Sequence, residues 1–67
     1  MMSKESLQNQ IKYVKENIRD TKQEIKRLSE MWVPPTRIIN GLRMNASNSE
    51  TILLFLENEL AALDNQE

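Results

Sequence analysis

Cysteine and histidine are both absent from these 67 residues, and glycine occurs only once. The first absence excludes disulfides, and the two together remove the ligands that structural zinc prefers. Without imidazole or thiol, no side chain titrates near neutrality unless its environment forces it to, so general acid–base or thiolate catalysis is not expected. A single glycine excludes a glycine-rich phosphate loop. The longest apolar run, Ile52 to Leu56, is far shorter than the roughly 20 residues that span a bilayer, so no membrane span is expected. The opening stretch "MMSKESLQNQ" has no apolar segment of the kind a secretory signal needs, and a cytoplasmic protein is the expectation. In that setting "NAS" at Asn45–Ser47 is not read as a glycosylation acceptor.

What is present is charge, unevenly placed. Residues 1–45 carry nine basic and five acidic groups, whereas residues 46–67 carry five acidic groups and no basic one. Such a split favours attraction between the two segments of one folded chain; a basic surface for nucleic acid is the alternative.

From Leu7 the positions Leu7, Ile11, Val14, Ile18, Thr21, Ile25, Leu28 and Trp32 alternate steps of four and three, the spacing of a narrow coiled-coil seam. Ser3 is a suitable N-cap, and no proline or glycine follows until Pro34. The flanking Gln8, Lys15, Lys22, Gln10, Asn17 and Glu24 lack the charge code of a parallel zipper. Thr21 places a hydroxyl within the seam, where it can bond back toward Asn17.

Pro34 and Pro35 must end this helix, and "NG" at Asn40–Gly41 reads as a second stop, leaving one short turn between them. Ser47 and Glu50 have capping-box spacing, so a further helix is expected to start there, with Ile52, Leu56, Leu60 and Leu63 on one face. The expected fold is therefore all-α. It is an antiparallel helical hairpin in one domain, residues 1–67, with a long helix at about 4–32, a short turn at about 36–40 and a second helix at about 48–64. A second helix of that length covers only the later half of the first. Leu7, Ile11, Val14 and Ile18 are then left bare, and a second copy is expected to cover them in a dimeric four-helix bundle, with Leu54 and Phe55 as further contacts. A chain this short buries only about 60% of its unfolded surface, which argues the same way.

The corner "MWVPPTRIING" admits two readings. Trp32, Ile38 and Ile39 can form a hydrophobic plug under the turn. Alternatively Trp32, Pro34, Pro35, Arg37 and Arg43 form an exposed tip that grips another macromolecule, tryptophan and arginine being enriched in binding hot spots. Glu16, Asp20 and Glu24 could hold a hard cation, but a solvated face balanced by Lys12, Arg19 and Arg27 is the simpler expectation. No cofactor or metal is expected.

The function expected is that of a non-catalytic interaction or adaptor protein that self-associates and binds or modulates a larger cytoplasmic protein. Hairpins of this size are common among small bacterial and bacteriophage accessory proteins, an analogy of fold alone. The alternative is a small dimeric nucleic-acid-binding regulator that uses Lys12, Lys15, Arg19, Lys22 and Lys26 along the first helix.

Overall fold

In a computed structural model, which describes residues 3–66, the chain forms two helices, α1 (Lys4–Ser29) and α2 (Thr36–Gln66), packed against each other as a hairpin. The result is a rod of 53 × 15 × 14 Å. Its radius of gyration is 15.4 Å, against about 11 Å for a compact domain of this length.

Ser3 caps α1 as its residue type suggests: its side chain accepts from the Ser6 amide at 3.1 Å, and its carbonyl accepts from the Leu7 amide at 3.0 Å. The helix ends at Ser29, about three residues before the expected stop. The Glu30 amide closes the last turn on the carbonyls of Lys26 and Arg27, and the Met31 amide bonds that of Leu28. Val33, which precedes Pro34, is pushed out of helical geometry, and Trp32 leaves the helix with it. Trp32 thus continues the seam in spacing only.

The larger correction concerns α2. The expected break at Asn40–Gly41 and the separate start at Ser47 do not exist, because α2 is continuous from Thr36 to Gln66. Gly41 is helical and has no positive φ. Ser47 does not cap: its carbonyl accepts from the Thr51 hydroxyl at 3.2 Å, while Glu50 reaches across to Lys22. A glycine inside a helix costs about 1 kcal/mol relative to alanine. Burying one large aliphatic side chain returns roughly 1.5–3 kcal/mol, so continuing the helix wins wherever it continues a seam.

It does continue one. Ile39, Leu42, Ala46, Ser49, Leu53, Leu56, Leu60 and Leu63 are buried or half-buried, and their steps alternate three and four along the whole of α2. This line meets the α1 line of Leu7, Ile11, Val14, Ile18, Thr21, Ile25 and Leu28, all likewise buried or half-buried. Leu7, Ile11 and Leu56 form the core, with Val14, Leu53, Leu60 and Leu63 packed against it. The expected bare layers are therefore covered by the chain's own second helix. At 31 residues α2 is roughly 46 Å long, enough to shield α1 to its first turn.

At mid-rod the seam narrows to small side chains. Thr21 and Ala46 are buried and Ser49 is half-buried. The Thr21 hydroxyl donates to the side-chain oxygen of Asn17 at 3.1 Å, so the polar group in the seam is satisfied locally. Two ion pairs mark the antiparallel register, Lys4–Asp64 at 2.8 Å and Lys22–Glu50 at 2.9 Å. Each joins a cation of the basic segment to a carboxylate of the acidic one. Being exposed, such pairs contribute about 0–1 kcal/mol apiece and report register more than they hold it.

Candidate interaction surface

With its seam closed, the rod offers three distinct surfaces: the tip, a basic flank and an apolar flank. At the tip, six residues from Glu30 to Pro35 connect the helices. Leu28 and Ile39 are buried just inside the connection and close the end of the seam. Trp32 is 99% exposed, with Met31 and Val33 also exposed beside it and Ile38 exposed on the first turn of α2. The plug reading is thus half right: Ile39 folds under the corner, whereas Trp32 and Ile38 do not. Pro34, Arg37 and Arg43 are exposed and Pro35 is half-buried, which gathers the expected tip residues at one end of the rod.

The tip is cationic as well as apolar. Residues 22–45 hold Lys22, Lys26, Arg27, Arg37 and Arg43 against Glu24 and Glu30. Arg27 is tied to Glu24 through two guanidinium hydrogen bonds, one of them from Nε at 3.2 Å. The bonding from Arg27 holds the Glu24 carboxyl below its usual range, and Glu24 raises Arg27 in return. The pairing is therefore complete above the ordinary carboxylate pKa and is lost as pH falls through the lowered value of Glu24.

Lys12, Lys15, Arg19, Lys22 and Lys26 follow one another at steps of three and four, so they line a single flank of α1, and all are exposed. Lys22 is engaged by Glu50, and Arg19 lies 3.7 Å from Asp20. The Lys22–Glu50 pair places this basic flank on the Glu50 side of α2. Ile52 and Phe55, on the far side of α2 from Glu50, belong to the opposite flank. Leu54 lies on the Glu50 side, away from Phe55, and is 61% exposed.

Among the described residues no group of three carboxylates comes together to hold a metal ion. Glu24 of the ladder is paired with Arg27, and Asp20 with Arg19. Among the described residues no helix is long and apolar enough to cross a membrane. Comparison with protein families, with characterised proteins and with solved structures finds no match for this chain.

Sequence reasoning named Phe55 as a contact but set Ile52 on the buried face with Leu56, Leu60 and Leu63; Leu53 takes that place in the seam and Ile52 is 51% exposed. The exposed Ile38, Ile52 and Phe55 fall on one line only when α2 is unbroken, and the expected stop at Gly41 hid that line.

Proposed function

We propose that the chain is a non-catalytic interaction protein, a rigid two-helix rod that self-associates and presents its tip to a larger protein. The observation that carries this reading is Trp32, wholly exposed on a proline-held turn between Met31 and Val33, with Arg37 exposed on the first turn of α2 and Arg43 exposed further along it. Nothing in the fold requires a tryptophan there. An indole in water contributes no burial to stability, while in a partner's pocket it supplies a large rigid contact area at little entropic cost. Prolines at 34 and 35 restrict the connection before any partner arrives, which lowers the ordering penalty of binding.

Trp32→Ala separates this role from a structural one. Because the side chain is exposed, the change is expected to alter unfolding stability by less than about 0.5 kcal/mol. Capture of the partner from native-host extract by the immobilised chain is expected to fall at least about thirtyfold, as for a hot-spot tryptophan worth 2 kcal/mol or more. Loss of helical circular dichroism in this variant would contradict the reading, as would undiminished capture.

The exposed line from Lys12 to Lys26 is the one observation that favours a nucleic-acid regulator instead. Binding to nucleic acid that persists at physiological salt and weakens in Lys15→Ala with Lys22→Ala would support that alternative over the protein adaptor.

A further inference from the structure

We infer that a second copy of this chain docks on the outer face of α2, antiparallel, about a twofold axis between Asn45 and Asn48. This rests on the self-association part of the reading above and is independent of the tip. Ile38, Gly41, Asn45, Asn48, Ile52 and Phe55 follow one another at alternating steps of three and four and form one line, about a quarter turn from the seam. All six are exposed, the three large ones by more than half: Ile38 58%, Ile52 51% and Phe55 59%.

Gly41 is the second observation. Its φ is not positive, and a Cβ built there would meet nothing within 4 Å, so neither backbone conformation nor packing within the chain calls for glycine. Glycine in a helix interior finds its use where another chain must come close.

The line is complementary to itself when reversed. With the axis between Asn45 and Asn48, Ile38 meets the partner's Phe55, and Ile52 enters the space above the partner's Gly41. Asn45 then faces the partner's Asn48, so each amide has a donor and an acceptor opposite it. A polar pair at the centre of an apolar contact sets register, as a lone asparagine does in a coiled coil. Charge on this face agrees: Arg37 lies beside the line near its start and Glu59 near its end, both exposed, whereas Arg43, Glu50, Glu57 and Asp64 point to the other side of α2. Antiparallel docking brings Arg37 near the partner's Glu59, whereas parallel docking would set Arg37 beside the partner's Arg37.

The elongated shape leaves surface enough for a second copy. The chain exposes 5364 Å², about 950 Å² more than the roughly 4400 Å² expected of a compact monomer of 7.9 kDa. That surplus is close to the roughly 800 Å² that each partner contributes to a stable interface.

Sedimentation equilibrium of the full chain, from micromolar to hundreds of micromolar, tests the inference. The wild type is expected to be a dimer. Ile52→Asp is expected to weaken association at least about tenfold with unchanged helical circular dichroism, since Ile52 lies outside the seam. Gly41→Leu should weaken it as much while the thermal midpoint, measured where the chain is a monomer, stays level or rises. This second variant holds even if an aspartate disturbs the helix. One copy at every concentration would overturn the docking and the self-association together. A dimer equally tight in both variants would overturn this face while leaving self-association in place.

Discussion

Leu56→Ala is expected to remove about 2–5 kcal/mol of stability, the range for truncating a buried leucine. Leu56 is 4% exposed and sits at the centre of the cluster with Leu7 and Ile11. A chain of this size has roughly 3–10 kcal/mol in all, so the variant should be largely unfolded in mild urea where the wild type is intact. Two rods of single-helix thickness have few layers with which to refill the cavity, which places the loss toward the upper part of the range. Urea titration followed by circular dichroism measures it. A midpoint shift equivalent to under about 1 kcal/mol would mean that Leu56 does not hold α1.

Met44→Pro is expected to cost about 3 kcal/mol or more, although Met44 is 68% exposed and gives up little packing. Most of the effect comes from the backbone. Proline at 44 removes the amide that bonds the Asn40 carbonyl and sets its ring against that carbonyl in the middle of α2. Were the chain to break at Asn40–Gly41 and restart near Ser47, residue 44 would lie in a connector, where proline is tolerated. The same urea titration therefore distinguishes a continuous α2 from a broken one.

The contrast between the helices explains how much of this fold was legible beforehand. In α1 the seam is spelled in large aliphatic residues from Leu7 to Leu28, and spacing alone places the helix and its buried line. In α2 the line passes through Ala46 and Ser49, which are too small or too polar to register as an apolar repeat. Local stop signals at Asn40–Gly41 and Ser47–Glu50 then outweigh it in a reading by residue type. Those signals are worth about 1 kcal/mol each, and burial against α1 overrides them.

The tip was legible as a set of residues but not as a surface. Trp32 falls in step with the seam, which suggested burial; only the early end of α1 at Ser29 shows that the step leads out into water. A second arm that starts only at Ser47 leaves Leu7 and Ile11 bare, whereas the unbroken α2 covers them, and the exposed apolar line proposed to meet a second copy lies on α2 instead of α1. The opposite charge of the two segments, by contrast, is legible from composition alone, and Lys4–Asp64 and Lys22–Glu50 cross between the helices.

Everything functional here depends on α2 being a single rigid helix that reaches from the tip to the first turn of α1. Native-state hydrogen exchange at individual amides tests this most directly. The amides of Asn45 to Ser47 are expected to exchange only through opening of the whole hairpin, with the same protection as those of Leu53 to Leu56. Fast exchange across Asn45–Ser47, with protection resuming only beyond Glu50, would describe a jointed second arm and contradict the account.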